Sequence, residues 1–355
     1  MKNRVATIST AAIILGLCLL TGCTTLEPDP FAPVEVPLHL YVDATTGSDA
    51  SGTGSASSPF KTITQALRFL YDIPGVDENR PRPEESTVIH IAAGLYNTNL
   101  GEGNILLNKV ELEGEGADRE DVQIAVEIEA QGPCKLTHVR LYGTIYLREP
   151  GDRGPEGEAR LEDVRAEMIW VEDYGQHVQV VDCQFDSLHA NLVKHVSVIN
   201  CRIVGGRGIY VAALPGGSIQ VEDSLVDDSS DAVVATADNV TVSDCTIRDC
   251  FIGLTLHITS GGHYQLSDIS VSDCSYGFIV SGQVAGRINV SGRAAVSGSA
   301  KADVLDERDA FSGLLEFGAM HWSAPKPSGV VDGPTNGPTS AGYQINSEGN
   351  SLRFE

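Results

Sequence analysis

The sequence predicts an all-β chain built as a right-handed parallel β-helix of three-strand coils, about nine or ten of them, behind an N-terminal capping helix. Three observations carry that prediction. A degenerate repeat recurs along most of the chain, and its apolar positions change parity at a fixed point. Glycine, asparagine or aspartate stands at most of those points. A further short strand follows each of them.

The N-terminus comes before any of this. Lys2 and Arg4 precede an apolar run from Ala11 to Leu20, and then comes Leu20-Thr21-Gly22-Cys23. The run is too short to span a bilayer and reads as the apolar region of an export signal over residues 1–22. The last four residues resemble the lipobox of bacterial lipoproteins. That resemblance implies a lipid on Cys23, which becomes the new N-terminus after cleavage, and so a membrane partner. Thr24 stands where many inner-membrane lipoproteins carry aspartate, which favours the outer membrane. Residues 23–37 hold four prolines and little periodicity, as a tether would.

Residues 38–109 read as the cap and first coils. In SSPFKTITQALRFL, Ser58 suits a helix N-cap and Pro59 a first turn, and Phe60, Ile63, Leu67 and Leu70 fall on one face. Such a helix covers the open end of the stack.

Residues 110–300 carry the repeat. Its copies are VELEG (110–114), CKLTHVRL (134–141), ARLEDVRA (159–166), VQVVDCQF (178–185), VSVINCRI (196–203), IQVEDSLV (219–226), VTVSDCTI (240–247), ISVSDCSY (269–276) and INVSGRAA (288–295). Side chains alternate within each apolar pair, as in Val240 and Val242, then Cys245 and Ile247. A straight strand cannot shift its inward set by one residue, so the chain bends there. The second bend residue is Gly114, His138, Asp163, Asp182, Asn200, Asp223, Asp244, Asp273 and Gly292, and Gly, Asn and Asp tolerate positive φ. After the corners come GTIYL (143–147), EMIWV (167–171), GIYVA (208–212), DAVVA (231–235), GLTLH (253–257) and YGFIV (276–280). Residues 301–355 form a C-terminal cap and a Pro/Gly-rich tail: 310–322 are apolar enough to seal the last coil, and 343–354 can return as a short strand.

A family resemblance enters through YVDATTGSDASGTGSASSPFKTITQAL (41–67) and VIHIAAGLY (88–96). Gly47, Ser48, Asp49, Gly52, Thr53, Pro59, Phe60, Lys61, Thr62, Ile63, Ala93, Gly94 and Tyr96 are similar to the N-terminal signature of the domain of unknown function 1565 family. The resemblance covers about 55 residues. It implies an N-terminally capped β-helix of the pectin-lyase-like superfamily and no particular activity, since that fold hosts lyases, hydrolases and binding proteins.

Charge and cysteines narrow the function. The formal net charge of −24 disfavours phosphate backbones, so nucleic acid is not an expected partner. No Cys-x-x-Cys pair or histidine spacing points to zinc. Cys183, Cys201, Cys245 and Cys274 fall at one recurring inward position, shared with Val139, Val164 and Ser224, as a ladder of small buried residues. Cys250 lies outside that column and is the cysteine expected to be exposed or bridged.

By alternation Tyr146, Trp170 and Tyr210 point outward from the third strand, with Arg148 and Glu172 two residues on. Flat aromatics on such a wall suit the apolar faces of sugar rings, which makes a polysaccharide a candidate partner; the alternative is that a tail or long loop, residues 323–355, covers them. The acids of SLVDDSSDAV (Asp227, Asp228 and Asp231, with Arg207 as the nearby base) are the candidates for catalysis or for holding calcium. No lyase or polygalacturonase motif surrounds them, and a solvated turn explains them as well. The sequence thus points to a non-catalytic envelope lipoprotein that binds a glycan or serves as a scaffold. The alternative is a polysaccharide lyase or glycoside hydrolase of the same superfamily.

Overall fold

Parity-shifting pairs of apolar residues leave the chain one way to bury them all, which is to stack coil on coil, and the strands do so. A computed structural model describes residues 39–71, 87–148, 158–173, 177–282 and 286–307, with short strands at 315–317, 321–322, 331–332, 343–345 and 352–354. Cys23, the tether and most of the tail lie outside the described residues. The first wall begins with His39–Val42, Thr87–Ile91 and Val110–Gly114, each parallel to the next and in register, and continues to Gly286–Ser291. The expected parallel β-helix is therefore present.

The parity change appears as burial. Ile219 and Val221 are buried before the corner and Ser224 and Val226 after it, as are Val240 and Val242, then Cys245 and Ile247. From His138 onward the corner residues His138, Asp163, Asp182, Asn200, Asp223, Asp244, Asp268 and Gly292 have φ between 49° and 66°. Gly114 is there for a different reason. A Cβ on it would lie 2.1 Å from the His138 carbonyl oxygen of the next coil.

One member of the expected column is corrected. Asp268, and not Asp273, stands under Asp244, because Ser243 pairs with Ser267 and Ser267 with Ser291. Asp273 belongs to a second column, Asp228, Asp249, Asp273 and Gly298, with φ from 54° to 68°. Both columns follow the same apolar-x-apolar-x-Asp pattern five residues apart, so the pattern alone does not separate them.

The cysteines are corrected with it. Cys183, Cys201, Ser224 and Cys245 share one column, which Ile269 continues; Ser229, Cys250 and Cys274 share the other. Cys250 is buried, not exposed or bridged, and all six described cysteines are free thiols. The position has a common task. The side chain donates back across the bend to the carbonyl two residues before it: Cys183 to Val181 (3.1 Å), Cys201 to Ile199 (3.2 Å), Ser224 to Glu222 (2.7 Å) and Cys245 to Ser243 (3.0 Å). In the second column Ser229, Cys250 and Cys274 do the same for Asp227, Arg248 and Ser272. Burial pushes the Cys245 thiol up to about 11, which keeps this donor protonated at neutral pH.

The cap helix, α1, is Ile63–Tyr71, and Ser58 and Pro59 lie before it. Phe60 instead pairs with the edge of the first strand, donating to Tyr41 and accepting from Asp43. The N-terminal amides of α1 are met from a distance. Glu102, itself buried, accepts from the Ile63 and Thr64 amides (2.6 and 2.9 Å) and from the Thr64 hydroxyl. Asp49 accepts from the amides of Lys61 and Thr62. Gly47 leaves room for Phe60, whose carbonyl oxygen would sit 2.2 Å from a Cβ there, and the Tyr96 hydroxyl donates to the Ala92 carbonyl. Phe60, Ile63, Leu67 and Leu70 are buried as expected. At the other end Tyr343–Ile345 and Leu352–Phe354 form an antiparallel hairpin that returns onto Leu315–Phe317. Most of 310–322 lies outside the described residues.

Along the corner column, Arg119 donates to an Asp163 carboxylate oxygen (2.9 Å) and to the Asp182 carbonyl (2.9 Å). Its neighbour Glu120 bridges Arg140 and Arg165.

Candidate functional site

The third wall positions the outward aromatic row. Ile145, Leu147, Ile169, Val171, Leu188, Ala190, Ile209 and Val211 are buried, so the residues between them must face out. In register those are Tyr146, Trp170, His189 and Tyr210, one per coil. The structure thus brings the three expected aromatics onto one wall. It adds His189, on the matching strand at 187–191, whose sequence SLHAN has only Leu188 and Ala190 as an apolar pattern. The signal was spacing: His189 follows Trp170 by the same interval as Asp182 follows Asp163.

Three of these rings stack on one another. Trp170 and His189 lie 4.3 Å apart by centroid and 16° from parallel, and His189 and Tyr210 lie 4.8 Å apart and 3° from parallel. Both faces of His189 are therefore covered. Arg148 sits over the Tyr146 ring at 5.0 Å. Tyr210 closes the row and is the most open of the four, at 39 % exposure. Burial lowers the His189 pKa below its ordinary value; the Arg207 charge adds to this and Glu172 opposes it, so the ring is a neutral stacking partner at pH 7.

The acidic candidates do not converge in the same way. Asp227 is ion-paired with Arg248 at 2.7 Å. Asp228 is an exposed member of the second corner column, with φ 54°, so the backbone accounts for it. Asp231 opens the strand Asp231–Thr236 and accepts from the Ser230 hydroxyl at 3.3 Å. Arg207 occupies the matching place one coil earlier, and no ion pair joins it to an acid among the described residues. No three His, Cys, Asp or Glu side chains among the described residues are grouped to hold a metal ion.

A cleft of about 350 Å³ lies elsewhere, on the first wall, lined by Lys109, Glu111, Cys134, Lys135, Glu158 and Arg160. Glu162 engages Arg160 at 3.0 Å and Lys135 at 3.8 Å. Burial pushes the Cys134 thiol up to about 12, so it is protonated and no nucleophile at neutral pH.

Residues 45–132 match a family described as "Protein of unknown function (DUF1565)", a span that takes in the cap and the first coils. No curated protein matches the chain. Among solved structures it is similar to pectin methylesterase PemA from Erwinia chrysanthemi, at 12 % identity over 84 % of this chain and 93 % of that one, with a TM-score of 0.39. A likeness of that size says nothing about chemistry.

Proposed function

We propose that this chain, a parallel β-helix whose N-terminal region is of the DUF1565 kind, is a non-catalytic glycan-binding lipoprotein of the bacterial envelope. In this reading a lipid on Cys23 holds it to the outer membrane. One observation carries the glycan reading: four outward rings on successive coils of one wall, with Arg148, Glu172 and Arg207 beside them. Rings set in a polar rim match the alternating apolar and hydroxylated surface of a sugar. The enzyme alternative draws no comparable support, because Asp227 is neutralised by Arg248 and Asp228 serves the corner.

The test is a glycan array probed with the detergent-solubilised protein, beside an assay for new reducing ends and unsaturated products. Binding without product formation is the expected result. Product formation abolished by Asp231→Asn would replace this reading with the enzyme one. Absence of binding to any glycan would leave scaffold as the function.

A further inference from the structure

The ring stack has a direction, and it ends at Tyr210. His189 lies between two rings, and Trp170 gives one face to it. Tyr210 gives one face to His189; its other face looks toward the next coil, where Val234 stands in register and Thr255 follows. A valine side chain stops at its γ-carbons, well short of a tyrosine hydroxyl. The outer part of the Tyr210 ring therefore overhangs Val234 with its second face open, consistent with its exposure.

Polar groups stand on both sides of this ledge. Arg207, exposed and without an ion pair among the described residues, lies on the Tyr210 coil, and Asp231 occupies the equivalent place on the next coil. Thr236, half-exposed, is two residues beyond Val234 on the same face.

Resting on the glycan reading above, we infer that one pyranose ring docks on the open face of Tyr210 as the next member of the stack. Its hydroxyls meet Arg207 and Asp231 on one side and Thr236 on the other. Coil spacing in such a stack, about 4.8 Å, is also a comfortable face-to-face distance between rings. The geometry then fixes how the glycan runs. The open face is normal to the helix axis, and equatorial glycosidic bonds leave a sugar roughly in its own plane. The chain must cross the wall or depart from it, and it does not lie along the row of rings. Only one sugar stacks, so affinity depends little on length.

The experiment titrates the full-length protein in detergent with glucose, N-acetylglucosamine, galactose, mannose and uronic acid oligomers of two to six residues. For the series that binds, the dissociation constant should change less than about threefold from dimer to hexamer, where a lengthwise groove gains tenfold or more. Tyr210→Ala should weaken binding at least tenfold. Val234→Tyr, which fills the ledge and moves the open ring face one coil away from Arg207, should weaken binding at least tenfold while leaving the thermal transition in place. Affinity that climbs tenfold with length, or a Val234→Tyr protein that binds as wild type, overturns the single-ring site and leaves glycan binding standing. If no series binds, the glycan reading itself falls, and this inference with it.

Discussion

The backbone amide of Cys201 donates to the Ser224 hydroxyl at 3.1 Å, while that hydroxyl donates to the Glu222 carbonyl at 2.7 Å. One small side chain thus ties together the backbones of two successive coils. Ser224→Ala should leave the buried Cys201 amide without its acceptor and cost about 1–3 kcal/mol, while the Glu222 carbonyl keeps the Asn200 amide at 3.0 Å. Ser224→Cys keeps a donor and should cost distinctly less. Urea denaturation midpoints of the two variants decide it: equal losses would mean the hydroxyl is only filling space.

At the corners, the left-handed backbone sets the order of tolerance. Asp244, at φ 53°, should accept glycine with little change, whereas Asp244→Val should cost about 1–2 kcal/mol or more. The same pair of substitutions at Asp249, φ 54°, should behave alike if the two columns are equivalent. Thermal unfolding of the four variants tests the equivalence.

Acid should loosen the clamp beside the corner column. Burial alone would raise the Glu120 pKa, but Arg165 and Arg140 outweigh it and hold the carboxyl below its ordinary value of 4.5. A folded-state pKa below the unfolded one adds stability that is present above 4.5 and is lost as pH falls through the folded value. The stability difference between wild type and Glu120→Gln should therefore be largest above pH 4.5 and shrink on acidification. A difference that is constant with pH would show that the arginines do not act through that charge.

His189 has the opposite chemistry but the same sense. Its pKa lies below 6.5 chiefly because burial disfavours the cation, so the unfolded chain takes up the proton first. Its contribution is complete above pH 6.5 and is lost as pH falls toward the folded value. Protonated imidazole quenches indole, so in a Trp322→Phe background the Trp170 fluorescence should fall with a midpoint below 6.5. A midpoint at or above 6.5 would contradict the buried, neutral ring.

The anchor is tested separately. Cys23→Ser should release the protein from membranes and abolish labelling by palmitate. A variant that still sediments with the envelope and takes up as much label as wild type would refute lipidation there.

Much of this molecule was legible in the residues because its rules are local. A parity change across Asp223 or Asp244 needs no partner to be read, since only a bend keeps both apolar pairs inside. Positive φ also draws on a short roster of residue types. The signature around Asp49 and Thr62 could be recognised, yet its reason could not: Glu102, which meets the amides of α1, comes from 39 residues away along the chain.

What the tertiary structure alone decided is registry. Asp268 and Asp273 look alike in sequence, and only strand pairing puts the first beneath Asp244 and the second beneath Asp249. Cys250 finds its column for the same reason, and His189 joins the row only through pairing, because SLHAN (187–191) carries just two apolar residues. Alternation showed that Trp170 and Tyr210 point outward, which is a property of one strand. That Trp170 and Tyr210 cover His189 between them, leaving the far face of Tyr210 open, depends on the distance between coils, which no single strand carries.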